Sequence, residues 1–519
     1  MQELLNRHMG NHEDAVASIA AAVRGFYERG EPFRVYHGST YSTRPSERQL
    51  GKMVDTSKLD GILEVNAQSM TTLVEPNVPM DKLVDSTLPY GLIPPVVMEF
   101  PGITVGGGFA GTAGESSSFR HGMFEKIVLS IEIVLANGEV VTASREQNTD
   151  LFHGASSSLG TLGIVTALKV ELVDAKRYVE LTYHPTGGIC GTLEKLKDLS
   201  RDDSIDYLDG ILFSSDRGIV CSGRLKDEAS ATVQRFTRAK DPWFYQHAER
   251  FNFAPQDAVF VESVPLVDYL FRYDRGAFWT GKYSFRYFMV PFNRITRWIL
   301  DDFMHARVMY HALHQSGHSN RYVLQDIAVP FAGAEELVKY IGESIGCYPL
   351  WLCPISRGGE LLQSNFGLFP NCDANTDVGE SIVSFGVWGP GPPDRQVFIK
   401  INRDLEQKIQ EVGGRKWLYA VTYYTEDEFW KIYNRNDYEA LRAKYHATYL
   451  PSVYEKARLR LDAEHNMLGG PWKARLKGAF WSIWPLSGLY GVCKAAIGGE
   501  YLLPKRYYRK SEDEWKLFE

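Results

Sequence analysis

Gly106, Gly108 and Gly111 stand in the spacing G-x-G-x-x-G within ITVGGGFAGTAGESSS, residues 103–118. That spacing marks a dinucleotide cradle when a strand precedes it and a helix follows at once, aiming its N-terminus at a pyrophosphate. The residues after Gly111, TAGESSSFRHGMFEK, oppose a continuous helix through Gly114, three consecutive serines and Gly122. The helix that the fingerprint requires is therefore not expected. What the stretch can do is turn several backbone N–H groups into one concavity, because glycine permits close approach. Thr104, Thr112, Ser116, Ser117 and Ser118 add hydroxyls to it. Such a cradle would hold a phosphate or a flavin without a helix dipole; the plain alternative is a Gly/Ser turn between strands.

Two further loops favour the cradle. VYHGSTYSTR, residues 35–44, leaves a strand and offers small and hydroxyl residues, His37, Gly38, Ser39, Thr40, Tyr41 and Ser42. In HGASSSLGTLGIVTALKVEL, from His153, Gly160 and Gly163 precede a strand. Three such loops in one α+β segment are far more specific than any one alone.

The elements that must position these loops are legible in the periodicity. Val16, Ile19, Ala20 and Val23 recur at helical spacing in an amphipathic N-terminal helix ending near Gly30. In KIVLSIEIVLANGEVVTA, the residues Ile127, Leu129, Ile131, Ile133 and Leu135 alternate, and Asn137-Gly138 is expected to supply the positive φ angles of a two-residue hairpin turn. Further strands are expected over 164–172 and in a pair within 62–75, and Pro79 opens a helix at its first turn. After about Lys176 the texture changes to aromatic-rich segments alternating with helical patterns, which suggests a second domain.

Composition narrows the function classes. A chain of 519 residues is long enough for at least two domains, and 44% hydrophobic with 23% charged residues is an ordinary globular mix. A formal charge of −7 without a basic run argues against a nucleic-acid partner. The six cysteines lack ligand spacing and read as reduced thiols, with no structural zinc and no other metal. No secretory signal is visible at the N-terminus. The apolar stretch from Lys473 is too short and too interrupted to span a membrane. Its Lys473, Arg475, Lys477, Trp481, Trp484 and Tyr490 suit a membrane interface, the alternative being a tail docked on its own domain.

In order along the chain, the three loops resemble the FAD-binding domain of the vanillyl-alcohol oxidase and p-cresol methylhydroxylase superfamily. More narrowly the sequence is similar to the Δ24-sterol reductase family, also called Diminuto or 24-dehydrocholesterol reductase. The motifs are TVGG with ESSS, NTDLF followed by GTLG, PWF at Pro242, QDIAVP at Gln325, YPLWLCP at Tyr348 and LYAVTYYTEDEFW at Leu418. The resemblance implies an α+β fold: a PCMH-type FAD-binding domain of two α/β subdomains, and a substrate cap with an antiparallel sheet and flanking helices. The expected divisions are an N-terminal helix at 1–32, the FAD-binding domain at 33–175, the cap at 176–415, a return to the flavin site at 416–460 and a tail at 461–519. FAD contacts are expected from the first loop, from Thr104, Val105, Gly106, Gly107, Gly108, Gly111, Thr112, Glu115, Ser116, Ser117 and Ser118, and from Gly160, Thr161, Gly163, Ile164 and Val165.

Relatives that bind FAD covalently use a His in the first loop or a Cys in the second. Here Tyr41 takes the attachment position and no Cys lies between Gly102 and Ser118, so non-covalent FAD is expected and His37 reads as a loop histidine. The resemblance implies NADPH as electron donor and reduction of a carbon–carbon double bond in the side chain of a sterol; the alternative is an oxidase or dehydrogenase passing electrons from an alcohol to oxygen. An unactivated alkene needs a proton donor in a dry pocket. Tyr423, Tyr424 and Glu428 are candidates, with core packing the alternative for either tyrosine. Arg272 and Arg275 are expected in salt bridges with Asp268 or Asp274, the alternative being a contact with the phosphate of a nicotinamide dinucleotide. The expected setting is cytoplasmic, or peripheral on an intracellular, ER-type membrane.

Overall fold

The computed structural model describes residues 2–37, 51–356, 364, 366–369, 381–460 and 484–497. Helix α1 (Gln2–Arg29) ends at Gly30, whose φ of 62° is the left-handed conformation glycine adopts freely at a helix end. Val16, Ile19, Ala20, Val23 and Phe26 form its buried stripe. The stripe packs on an antiparallel sheet with strand order β3-β4-β7-β5-β6, formed by β3 (Ile62–Asn66), β4 (Thr71–Val74), β5 (Val128–Leu135), β6 (Val140–Ser144) and β7 (Gly163–Glu171). Buried His12 fixes the register of helix on sheet, with Nδ1 2.7 Å from Glu75 Oε1 and Nε2 3.1 Å from Glu132 Oε1. A parallel pair, β1 (Arg34–Tyr36) and β2 (Met53–Asp55), stands apart and leads into the first loop.

The β5–β6 turn differs from the expected pair of positive φ angles: only Gly138 has one, at 86°. The Gly138 N–H donates to Leu135 O at 2.9 Å and the Leu135 N–H to Glu139 O at 2.8 Å, a tight turn closed by one glycine. A Cβ on Gly138 would stand 2.8 Å from Ala20 O, so α1 presses on the turn and glycine is required twice over. Pro79 caps α2 (Met80–Thr87) from one residue before its first turn.

Strands between residues 178 and 416 build one antiparallel sheet of eight, in the order β11-β8-β10-β9-β13-β14-β12-β15. They are β8 (Tyr178–Thr186), β9 (Tyr207–Ser214), β10 (Arg217–Lys226), β11 (Phe260–Pro265), β12 (Tyr322–Pro330), β13 (Leu350–Ile355), β14 (Ile382–Pro390) and β15 (Arg415–Lys416). One face is covered by α4 (Gly188–Leu199), α7 (Phe331–Ser344) and α8 (Arg395–Glu411). There Val323, Ile327 and Val329 of β12, Leu350 and Leu352 of β13, and Val383, Phe385 and Val387 of β14 join Leu196, Leu337, Val338, Ile341, Leu405 and Ile409 in one apolar cluster. Side chains alternate along a strand, so the intervening residues must face the other way.

On that second side lies α6 (Ala306–Ser316), against which the near-C-terminal helix α10 (Leu486–Ile497) packs through Gly491, while Gly488 lies against Tyr287 and Phe288. A short helix, α5 (Arg294–Ile299), opens with an Asn293/Thr296 capping box. No helix among the described residues is long and apolar enough to cross a membrane.

Candidate active site

The glycine stretch does contain a helix, against expectation: α3 (Val105–Gly111), whose N-cap Thr104 accepts from the Gly107 N–H at 3.2 Å through Oγ1. Glycine disfavours a helix, yet close packing overrides propensity here. A Cβ on Gly106 would meet Pro76 Cβ at 2.6 Å and one on Gly108 would meet Met98 Cε at 2.5 Å, so these two let the helix sink into the domain. On its other side a Cβ on Gly107 would touch only Thr104 Oγ1, and one on Gly111 nothing within 4 Å. Two of the three fingerprint glycines, Gly106 and Gly108, thus serve packing, while the third, Gly111, and the intervening Gly107 face an open space.

That space is a cavity of about 1070 Å³, above the roughly 300–1,000 Å³ of a single-ligand pocket. Its first half is lined by His37, Thr104, Gly106, Gly107, Gly111 and the third loop, Gly160, Gly163, Ile164 and Val165 among them. Burial holds His37 below the ordinary histidine pKa, leaving its ring neutral at physiological pH. Gly160 has a φ of 68°, and a Cβ on Gly163 would press Val134 O at 2.5 Å. Lys456 also lines this half and donates through Nζ to Leu159 O at 3.0 Å and Gly160 O at 3.3 Å. Open glycine faces and a lysine beside a turn of backbone suit a dinucleotide and its pyrophosphate.

The second half has the eight-stranded sheet as its floor and α6 as its roof. Tyr322, Leu324 and Asp326 of β12, Trp351, Cys353 and Ile355 of β13, and Ser384 and Trp388 of β14 line it at every second position. Asp326 pairs across the sheet with Gly386, and Gly386 with Trp351. A Cβ on Gly386 would overlap the Trp388 ring, so that glycine lets the indole fold over the floor. Tyr310 of α6, Phe278 and Met304 close the space from above.

Polar ties fasten the two halves together. The Cys353 thiol donates to Glu115 O, the Ser356 N–H donates to Ser118 O at 3.0 Å, and the Trp417 indole N–H donates to the carbonyl of Thr112. Two carboxyl groups, Glu99 and Asp326, face the cavity. Burial, then the neighbouring Glu115, push Glu99 up to about 7, against the weaker pull of its own backbone and of Arg272. Burial, then Glu99, push Asp326 well above the ordinary carboxylate range, against the Trp388 side chain and Lys416.

The other residues singled out from the sequence lie elsewhere. Gly38, Ser39, Thr40, Tyr41 and Ser42 fall outside the described residues. Val105 is fully buried, and neither it nor Gly108, Thr112 or Thr161 lines the cavity; the Thr161 hydroxyl joins Ser158 O and Tyr438 instead. The ESSS run folds on itself rather than offering hydroxyls to the cavity. Buried Glu115 accepts from the N–H groups of Ser116 and Ser117 and from the Ser116 hydroxyl, Ser117 Oγ donates to Pro95 O, and Ser118 Oγ accepts from the Glu115 N–H.

Tyr423, Tyr424 and Glu428 do not line the cavity either. Glu428 completes a capping box with Thr425 at the start of α9 (Glu426–Ile432) and pairs with Arg403 at 2.9 Å. The Tyr424 hydroxyl donates to Glu406 O, and Tyr423 packs at the edge of the helix-covered face. Arg272 and Arg275 are buried in ion pairs as expected in kind, with other partners: Asp209 at 2.8 Å and Asp301 at 2.7 Å. Asp274 takes His305, and Asp268 takes Arg235. Asp326 and Glu99 are the cavity's acids that sequence reasoning missed, although QDIAVP, which contains Asp326, alternates as a strand should.

Residues 14–144 match the family model for an FAD binding domain, a range that includes Thr104, Gly106, Gly107 and Gly111 of the cavity's first half. Over 459 residues the protein is 29% identical to the human Delta(24)-sterol reductase, covering 86% of both sequences. It is 31% identical over 436 residues to the Arabidopsis thaliana Delta(24)-sterol reductase, covering 78% of this sequence and 76% of that one, and 27% identical to a Caenorhabditis elegans Delta(24)-sterol reductase homolog over 79% of this sequence and 80% of that one. The chain belongs to the Delta(24)-sterol reductase family.

Proposed function

We propose that this protein binds FAD non-covalently and uses NADPH to reduce a carbon–carbon double bond in the side chain of a sterol or a related isoprenoid. One observation carries the reading: a single cavity runs from the glycine cradle to a floor of aromatic and aliphatic side chains, with space for a dinucleotide at one end and a large apolar molecule at the other. Bound FAD supplies hydride chemistry. The protein contributes the rest. The open faces of Gly107 and Gly111 and the third loop hold the dinucleotide, and Leu324, Trp351 and Trp388 exclude water from the reacting bond. The test is anaerobic mixing of the purified flavoprotein with NADPH, then with Δ24 sterols. Bleaching of the flavin, its recovery on adding sterol, and a product heavier by two hydrogens are expected; recovery with oxygen and an alcohol product instead would move the reading to an oxidase.

The membrane reading follows from the same cavity. Tyr287, Phe288, Gly488 and Ile497 line its far end. Beside them Met289, Ile295, Trp298 and Ile299 are exposed, as are Trp484 and Ile497 on the α10 side, and the Trp484 indole donates to Tyr287 O at 2.7 Å. A large exposed apolar face at a cavity mouth marks a surface made to be covered, and a lipid bilayer is where a water-insoluble substrate resides. The tail's other basic and aromatic residues, Lys473, Arg475, Lys477 and Trp481, lie outside the described residues. Liposome flotation of the full-length protein is expected to be lost on Trp298→Glu with Ile299→Glu; unchanged flotation would remove this face from the reading.

A further inference from the structure

We propose that Asp326 is the proton donor of this reduction and that Glu99 resupplies its proton; the assignment rests on the function proposed above. Three features of position point to it. Asp326 sits on the cavity floor in the row Asp326–Gly386–Trp351, where the missing side chain of Gly386 leaves room for indole rings beside the carboxyl, with the Trp388 side chain as its hydrogen-bond partner. The next row toward the cradle holds Cys353, which is tied to Glu115 O, and β15 continues into Trp417, which is tied to Thr112. The carboxyl therefore stands where the cap floor meets the glycine segment, the junction at which a substrate must approach the cofactor. Finally, Asp326 is the only acidic residue on the strand that supplies the centre of this floor.

Every charged or titratable neighbour favours a neutral acid over a carboxylate, or is already committed. Glu99 faces Asp326 from the loop before α3, and two carboxylates in one apolar space cannot both stay ionised. Tyr310 faces the pair from α6, and its own pKa is pushed up by burial and by both acids, so the phenol is the poorer donor. Lys416 on β15 is bound to Glu406 at 2.8 Å and to Val421 O at 2.7 Å, which directs it to the helix-covered side. A carboxylic acid held neutral at physiological pH in an apolar site is a competent donor.

The step balances simply. The proton leaves the Asp326 carboxyl for one alkene carbon as the hydride supplied by reduced FAD reaches the other; the π bond is replaced by two C–H bonds and Asp326 is left as carboxylate. Glu99 then returns a proton to it, and bulk water recharges Glu99.

Asp326→Asn tests the assignment by splitting the half-reactions. Flavin reduction by NADPH is expected to stay within about twofold of the native rate, while flavin recovery on adding a Δ24 sterol slows by about 100-fold or more, the usual worth of a general acid. A second readout needs neither turnover nor cofactor: in the infrared difference between the native protein and Asp326→Asn at neutral pH, a protonated-carboxyl band that shifts in D2O is expected. Sterol-driven recovery within about threefold of native, or the absence of any carboxyl band from that difference, would overturn the proposal. Should Asp326→Asn not fold, the native pH profile decides: recovery must hold through neutral pH and fall on the alkaline side, and a rate unchanged into alkali overturns it. Failure of the broader reading looks different, since no sterol would then reoxidise even the native flavin while the carboxyl band would persist.

Discussion

The two faces of the eight-stranded sheet are built from the same strands and do opposite work. Toward α4, α7 and α8, β12, β13 and β14 present valine, isoleucine, leucine and phenylalanine, all interlocked with helix residues. Toward the cavity the same strands present Tyr322, Leu324, Asp326, Trp351, Cys353, Ser384 and Trp388. The difference teaches that parity along a strand divides stability from chemistry: one side is closed by helices, while the other keeps large rings and an acid around a space that stays open for a ligand.

The strongest way to break that division is to truncate one residue on each face. Phe385→Ala on the helix-covered face is expected to cost about 3–5 kcal/mol in chemical denaturation. Leu324→Ala on the cavity face is expected to cost about 1 kcal/mol or less, because its side chain already borders open space, while sterol KM rises by about tenfold. Equal stability losses would mean that the floor is part of the core.

A smaller contrast of the same kind exists within α3. Gly108→Ala is expected to destabilise by about 1–3 kcal/mol because the new methyl must displace Met98 and Phe124. Gly111→Val is expected to leave stability within about 0.5 kcal/mol and to lower flavin occupancy, read as the visible absorbance per folded molecule.

The smallest effect is a pH dependence far from either face. Burial alone would lower the His12 pKa, but its hydrogen bonds to Glu132 and Glu75 outweigh burial and raise it to about 9. Its stabilisation is therefore fully present below the ordinary histidine value near 6.5 and is lost as pH rises through about 9. Partial exposure of Glu132 screens the pair, so the difference between native protein and His12→Gln should be about 1–2 kcal/mol at pH 6, vanishing by pH 10.

What could be read from residues alone follows the same physical line. The close approaches at Gly106 and Gly163 were legible as positions where only glycine fits, and α1 because its stripe has one helical period. The short helix over residues 105–111 was not, since contacts with Pro76 and Met98 override glycine's poor propensity and come from distant residues. The floor was also hidden: YVLQDIAVP alternates visibly, but which parity meets helices and which meets a ligand depends on elements before and after it. In TYYTEDEFW the signal was present and was outweighed by resemblance, because Thr425-x-x-Glu428 is the pattern of a capping box, and that is how the carboxylate is spent.

The bonds from Cys353, Ser356 and Trp417 to the glycine segment have a mechanical consequence. With the floor stitched to the nucleotide-binding half at three points, a clamshell opening between the two domains would have to tear all of them. The far end of the chamber is held differently, by close packing at two glycines: α10 meets α6 through Gly491 and the rings of Tyr287 and Phe288 through Gly488.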